Sequence, residues 1–312
     1  MKKLNIFIIL IMSIGATEEI KHNSIMYYDL SYTNSDDVNI SNEFEFRRIY
    51  FGLEKRISDN FSYKILTDIG RSSVDGRLSV YIKNAKVDLN TELGKFIIGV
   101  QALNVFDIQR NTWGYRSIDK TAMNRNKWAS SADLGLGYYN NYNNLHYTVL
   151  VTNGTGFKLP ENDSYKIIST QIYYGQGKLD LYNGMNSGLV FTYEPYHAED
   201  ESVETKIVTG LFGGYASGPI RIGAEISQLI NSNVETAVKI FSGYGNFAIR
   251  DKICIFARFD NLNNNSDISN YIIAGIAVSP EVGLKIMPNI RYTSDDNSNN
   301  YLSYILNFEF KI

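Results

Sequence analysis

Short segments in which every second residue is apolar follow one another along almost the whole chain, and this pattern restricts the fold more than any other feature. The segment 145–153 reads LHYTVLVTN, and the segments 220–227 (IRIGAEIS) and 253–260 (ICIFARFD) repeat the same period. A period of two, rather than 3.6, is typical of β-strands whose two faces meet different environments. The chain is therefore predicted to be all-β.

Sixteen such segments can be counted, although the segments at 234–249 and 270–279 alternate poorly. Because strand limits are the least certain part of such a prediction, fourteen or eighteen strands are also compatible with the pattern, and an even number is the firmer prediction. The predicted strands are 25–33, 44–57, 61–70, 78–90, 94–102, 132–140, 145–153, 165–175, 186–194, 204–216, 219–230, 234–249, 252–262, 270–279, 283–292 and 299–312.

The beginning of the chain, MKKLNIFIILIMSIGA, has the features of a secretory signal peptide. Lys2 and Lys3 precede an apolar run, and small residues follow at the end of the segment. We therefore expect residues 1–16 to be a signal peptide and residues 17–312 to form one exported domain. Beyond residue 16 no stretch reaches the roughly 20 apolar residues that a spanning helix needs. An exported β-protein can still span a membrane as a closed barrel.

Short and longer connections alternate between the predicted strands. Thr91–Leu93 and Ser217–Gly218 are tight, whereas 34–43 and 103–131 are long. Antiparallel strands with tight turns at one end and longer loops at the other are typical of outer-membrane barrels. The connections after the eighth and the eleventh predicted strands are exceptions, the first long for a turn and the second short for a loop.

Aromatic residues near strand ends favour the membrane-spanning alternative. They are typical of the girdles at the two interfaces of a barrel, whereas a soluble β-sandwich rarely needs sixteen strands in one domain. We therefore predict a transmembrane antiparallel up-and-down β-barrel of about sixteen strands in the bacterial outer membrane, with one long loop folded inward. The predicted girdle residues are Tyr138, Tyr139, Tyr142, Tyr147, Tyr173 and Tyr174.

The composition argues against several classes of function. With 30 Lys and Arg against 33 Asp and Glu, the chain offers no overall attraction for nucleic acid. Its single cysteine, Cys254, provides neither a disulfide framework nor a cysteine-based zinc site. The three histidines, His22, His146 and His197, are far apart along the chain, and no Gly-x-Ser-x-Gly elbow is present. We expect no enzymatic activity, no cofactor and no metal site.

The segment 103–131 is the longest without alternation, and its five basic and two acidic residues give it a local charge of +3. Folded into the lumen, it would narrow the pore and place cations where an anion loses part of its water. As an external loop, it would have solvated charges or contact lipopolysaccharide phosphates, and the sequence leaves both alternatives open. Trp113 and Trp128 are expected to anchor the segment in either case.

Several segments in the first part of the chain carry a family resemblance. Phe46–Glu54, Ser58–Lys64, Val80–Lys83 and Gly94–Gln101 resemble the phosphate-selective porin O/P family of Gram-negative outer membranes. The first two resemble that family's arginine-containing strand, periplasmic turn and return strand, and the last resembles its strand leading into a large inward loop. The resemblance implies a sixteen-stranded, usually trimeric pore. The chain departs from the family in having no dense arginine ladder.

The leading interpretation is a water-filled porin through which small hydrophilic solutes diffuse, with at most a weak preference for anions such as phosphate. The alternative is a structural or adhesive barrel that residues 103–131 plug and whose acidic loops bind a surface partner. The expected partners are outer-membrane lipid, lipopolysaccharide, small ionic solutes and further copies of the chain in a homotrimer. The predicted selectivity residues are Arg110, Arg116, Lys120, Arg125, Lys127 and Arg48.

Overall fold

Sixteen strands in the described part of this computed structural model close into one antiparallel barrel. Each strand pairs with its neighbours in sequence, and the first pairs with the last, with Ile25 opposite Lys311. The predicted up-and-down barrel is confirmed, whereas the predicted signal peptide, residues 1–16, lies outside the described residues. The structure describes residues 19–35, 41–72, 75–161, 163–179, 183–198, 202–234, 236–264, 267–296 and 300–312.

The strand limits follow the alternating segments closely. A 3₁₀ helix (Asn104–Phe106) and two short α-helices, α1 (Asp107–Trp113) and α2 (Ala122–Arg125), occur between the fifth and sixth strands. The strands are β1 (Lys21–Ser35), β2 (Ser41–Arg56), β3 (Phe61–Arg71), β4 (Leu78–Thr91), β5 (Gly94–Ala102), β6 (Ala132–Tyr142), β7 (Leu145–Thr152), β8 (Ile167–Gly175), β9 (Asn183–His197), β10 (Val203–Ser217), β11 (Ile220–Asn231), β12 (Val238–Arg250), β13 (Ile253–Asn263), β14 (Ile268–Glu281), β15 (Leu284–Asp295) and β16 (Tyr301–Lys311).

The outward face of the barrel is apolar. On β6 and β7, for example, Leu134, Leu136, Val149 and Val151 are exposed, while the residues between them face inward. Such side chains would cost about 25 cal/mol for each Å² exposed to water, and they suit a hydrocarbon environment instead. None of the helices among the described residues has the length and apolar character that a crossing of the bilayer requires.

Tight turns lie at one end of the barrel and longer loops at the other. Strand β12 begins at Val238 rather than at 234, so the connection from Asn231 has the length of an ordinary loop. The connection after β8 is long for a turn, and part of it folds back into the lumen, where Leu179 is fully buried. Both exceptions in the predicted alternation therefore have a structural explanation.

The segment 103–131 folds into the lumen and packs against one side of the barrel wall. Trp113 is fully buried, with its ring centroid 5.8 Å from that of Tyr244 on β12 and 6.1 Å from that of Phe256 on β13. Trp128 lies in a second apolar cluster with inward residues of β7 to β12. Both tryptophans anchor the segment as predicted, and the alternative of an external loop is wrong. We call residues 103–131 the lumen loop.

Two of the six predicted girdle residues do not belong to a girdle. Tyr138 and Tyr147 lie on the outward face, with ring centroids 6.1 Å apart, and Tyr174 is exposed. Tyr139 and Tyr173 have the opposite parity on their strands, and both line a cavity inside the barrel. Their assignment from sequence was wrong because adjacent tyrosines on a strand point to opposite faces.

Candidate functional site

Three arginines on alternate strands of the barrel wall hold the lumen loop. Arg221 on β11 donates to the carbonyl oxygen of Trp113 at 3.4 Å, and Arg291 on β15 donates to that of Ile118 at 3.0 Å. Arg258 on β13 donates to the carbonyl oxygen of Lys120. The carbonyls of a loop inside a barrel are not paired with a neighbouring strand, and a charged donor forms a strong hydrogen bond with such a carbonyl. We call Arg221, Arg258 and Arg291 the anchor arginines.

Arg258 is the most deeply buried anchor arginine and belongs to an ion-pair network. Its guanidinium forms two bonds to the carboxylate of Asp260, at 2.8 and 2.6 Å, and both residues are about 2% exposed. Arg125 of the loop approaches the same carboxylate at 3.5 Å and lies 3.7 Å from the ring centroid of Tyr271. Because the carboxylate is shared, the position of α2 depends on the wall residues.

The carboxyl group of Asp119 lies among these cations. Burial raises the pKa of this carboxyl, but attraction to Arg258, Arg291 and Arg125 outweighs burial, and the pKa lies below its usual value. Asp119 therefore keeps its negative charge near the anchor arginines. Its own carbonyl accepts a hydrogen bond of 3.2 Å from the indole nitrogen of Trp113, which links the two ends of this part of the loop.

The wall opposite the lumen loop, β2 to β4, carries basic residues whose acidic neighbours are paired. Asp68 is 1% exposed and accepts from Arg48 at 3.0 Å and from Lys83 at 3.4 Å. At a β-bulge between β1 and β2, Arg47 is the extra residue, and its guanidinium lies 2.8 Å from the buried Asp29. The bulge turns two successive arginines toward the interior.

Three cations of the lumen loop face this wall across a cavity of about 600 Å³. Arg116, Lys120 and Lys127 line it together with Arg48, and among the described residues none of these three loop cations has an acidic partner within 4.0 Å. Eight basic and two acidic residues line the cavity. Both acidic residues, Asp68 and Glu194, already have basic partners. The unbalanced positive charge therefore comes largely from the loop.

The other two predicted loop residues lie differently. Arg110 forms an ion pair of 2.8 Å with Asp107 one turn earlier on α1, so its charge is largely compensated. Arg125 lies 3.5 Å from the Asp260 carboxylate. It also lines a second cavity, of about 420 Å³, together with Arg48, Arg116 and Lys120. The structure thus brings four of the six predicted residues together in one cavity, a fifth beside them, and Arg110 apart.

Further basic residues at this site were not singled out from the sequence. Arg71, Lys83 and Lys158 line the same cavity. The ammonium group of Lys158 lies 4.3 Å from the ring centroid of Tyr81, a cation–π contact. Alternation alone could have placed Lys83 inward, but it puts Arg71 on the same face as Ile69 rather than with the buried Asp68. Lys158 lies in the loop between β7 and β8, where no sequence period applies.

The ammonium group of Lys120 titrates in an accessible pH range. Burial, followed by repulsion from Arg116 and Arg48, lowers the pKa of Lys120 to about 8. The group is therefore charged below pH 8 and neutral above it. The positive charge of the cavity should fall as the pH rises through this value.

This titration predicts pH-dependent ion selectivity. Between pH 7 and pH 9.5 the anion-to-cation permeability ratio should fall about two- to fivefold, since one charge within about 8 Å of a permeant ion contributes about 0.5 to 2 kcal/mol before salt screening. The measurement is the reversal potential under a KCl gradient. Lys120→Arg is the control, because a guanidinium keeps its charge throughout this range. An equal fall in that variant would contradict the assignment.

The described residues include no candidate metal site. No group of three His, Cys, Asp or Glu side chains among them could hold a metal ion. The three histidines lie on β1, β7 and β9, and His146 is stacked on Tyr173 with ring centroids 4.6 Å apart.

The barrel is similar to solved bacterial outer-membrane proteins over nearly its whole length. An anion-selective porin from Comamonas acidovorans matches with a TM-score of 0.73 and 9% identity, over 94% of this chain and 99% of that one. The trimer form of OmpT of Vibrio cholerae matches with a TM-score of 0.64 and 12% identity, over 95% of this chain and 100% of that one. OmpF of Salmonella typhi in complex with daunomycin matches with a TM-score of 0.66 and 8% identity, over 93% of this chain and 97% of that one. The chain has the fold of an outer-membrane porin.

The sequence itself gives no such match. No family model and no curated protein matches it. The fold and the apolar outer band are those of proteins that lie in the bacterial outer membrane, whereas membership of the phosphate-selective porin family is supported only by the short segments quoted above.

Proposed function

We propose that the protein is an outer-membrane diffusion channel for small hydrophilic solutes that favours anions, phosphate among them. The observation that carries the proposal is the cavity between the lumen loop and β2 to β4. Its eight basic residues outnumber its two acidic ones, and both of these are paired. In a narrow, partly dehydrated passage such an excess lowers the energy of an anion and raises that of a cation.

The proposed mechanism is filtration at the lumen loop. The loop occupies the side of the lumen next to β7 to β15, so solutes must pass between it and β2 to β4. Arg116, Lys120 and Lys127 on the loop and Arg48 on the wall would act directly on a passing anion. Arg110 and Arg125 would contribute less, because Asp107 and Asp260 partly compensate their charges.

Conductance separates this channel from a plugged structural barrel. Purified, folded protein added to a planar lipid bilayer should produce discrete steps of ion current, and heat-unfolded protein at the same concentration should produce none. Graded polymers added to the bath would then give the size limit, since a solute that enters the pore reduces the step. Folded barrel that inserts into lipid but yields no steps would support the plugged alternative.

Two further proposals concern partners. The apolar outer band is suited to outer-membrane lipid and lipopolysaccharide, and some of it would pack against other copies in a homotrimer. The trimer form of a protein with the same fold supports this assembly. Light scattering of the detergent-solubilised protein should give three times the mass of one chain, and a single-chain mass would contradict the trimer.

A further inference from the structure

A third cavity, of about 640 Å³, lies between the lumen loop and the end of the barrel that carries the tight turns. The turns after β4 and β6 and the connection after β8 surround its mouth, and the beginning of the lumen loop forms its roof. Its volume falls in the range of small-molecule sites. We call it the turn-side cavity, and the selectivity mechanism above does not use it.

The lining of the turn-side cavity differs in charge from that of the cavity between the lumen loop and β2 to β4. Lys95 and Lys178 are matched by Glu92 and Asp107, so the basic and acidic residues are equal in number. Lys95 also lies 3.7 Å from Asp88 and 5.2 Å from the ring centroid of Tyr139. A cavity with balanced charge has no reason to favour an anion over a neutral molecule.

Three aromatic rings line this cavity. His146 and Tyr173 are stacked with an interplanar angle of 10° and ring centroids 4.6 Å apart, so each ring holds the other in a fixed orientation. Tyr139 faces the same cavity from β6. Rings on rigid strands present flat apolar faces with little loss of conformational entropy on binding.

Carboxamide groups supply the polar part of the lining. Asn104 donates to Thr148 Oγ1 at 2.7 Å, its backbone carbonyl accepts from Gln171 at 2.6 Å, and Asn111 donates to the carbonyl of Gly177 at 3.0 Å. The side-chain oxygen of Asn104 is buried and has no partner among the described residues. These contacts fix the amides in place. Asn104 and Gln171 are 1% and 2% exposed, so the partly exposed Asn111 is the one of the three that can exchange hydrogen bonds with a solute.

Flat apolar faces beside fixed amides, without net charge, match the chemistry of a sugar ring, which has apolar C–H faces and hydroxyl groups at its edge. We propose that the turn-side cavity is a binding subsite for the neutral ring of a mono- or disaccharide. Tyr139 and the His146–Tyr173 pair would cover the ring faces, and Asn111 would meet the hydroxyls, while the buried Asn104 and Gln171 hold the adjoining backbone in place. The subsite depends on the channel only for access.

Binding can be measured without ion conduction, so that failure of the channel proposal and failure of the subsite remain distinguishable. The experiment is saturation-transfer NMR of maltose with the folded protein in a detergent that carries no sugar. Transfer to ring protons that saturates with maltose concentration is expected. Tyr139→Leu and Tyr173→Leu should each weaken the apparent affinity about five- to tenfold, the effect of about 1 kcal/mol for a lost aromatic contact.

The matched control is Tyr174→Leu, because Tyr174 neighbours Tyr173 on β8 but is exposed on the outward face. It should leave maltose binding unchanged. If a tyrosine variant does not fold, Asn111→Ala is the substitute and should also weaken binding. The proposal would be overturned by an absence of transfer in the wild-type protein, or by transfer equal to wild type in the folded Tyr139→Leu, Tyr173→Leu and Asn111→Ala variants. Displacement of maltose by inorganic phosphate at equal concentration would also overturn it.

Discussion

Replacement of Arg116, Lys120 and Lys127 together by glutamine is expected to lower the anion-to-cation permeability ratio about tenfold or more. These cations face the cavity, and none has an acidic partner among the described residues. Each charge contributes about 0.5 to 2 kcal/mol to the energy of a nearby ion, less at high salt. The reversal potential under a KCl gradient measures the change, which should shrink as the ionic strength rises.

The matched control removes the same number of charges elsewhere. Arg77, Lys166 and Lys252 lie on two loops and a turn and do not line the cavities on either side of the lumen loop. Their replacement by glutamine should leave the reversal potential unchanged. If both triple variants shift it equally, overall charge rather than the lumen loop sets the selectivity.

Arg258→Met is expected to release part of the lumen loop and to destabilise the barrel by about 3 to 5 kcal/mol. The substitution leaves the buried Asp260 carboxylate with only the Ser242 hydroxyl and the more distant Arg125 as partners, and it leaves the Lys120 carbonyl without its donor. Removing one partner of a buried ion pair costs about that amount. Larger and noisier single-channel currents are expected, because a loosened loop narrows the lumen less. Thermal unfolding, followed by heat-dependent gel migration, measures the stability.

Two variants make this result specific. Arg258→Met combined with Asp260→Asn removes the carboxylate charge that has lost its bidentate partner and should recover part of the stability, while the currents stay altered because the bond to the loop is still missing. Arg56→Met changes an exposed arginine that pairs with Asp59 in a turn and should change neither property. If the folded Arg258→Met variant gives the same currents as the wild-type protein, Arg258 does not position the loop.

The strand order could be predicted from the sequence because each strand separates lipid from the lumen. That difference imposes a period of two on segments such as 145–153, and the short turns fix the order of neighbouring strands. The lumen loop was predicted as an irregular basic segment with two tryptophans. Its inward fold was predicted, but the side of the wall against which it packs could not be, because that depends on apolar residues that β7 to β15 direct inward, among them Leu150, Ile240 and Ile273.

The roles of individual charges were harder to predict than the fold. Alternation places Arg258 and Arg291 inward, but it does not tell an arginine that faces solute from one that binds a loop carbonyl. Arg47 would face outward by simple alternation, and only the bulge opposite Tyr27 and Tyr28 turns it toward Asp29. Such features depend on contacts between distant segments, which a local period does not contain.

The central claim is that the barrel is an open pore that favours anions. The most direct test is the reversal potential of the wild-type protein in a planar bilayer under a KCl gradient at neutral pH. We predict current steps and a potential whose sign shows that chloride is more permeant than potassium. A potential of the opposite sign, or folded protein that inserts without any current steps, would contradict the account.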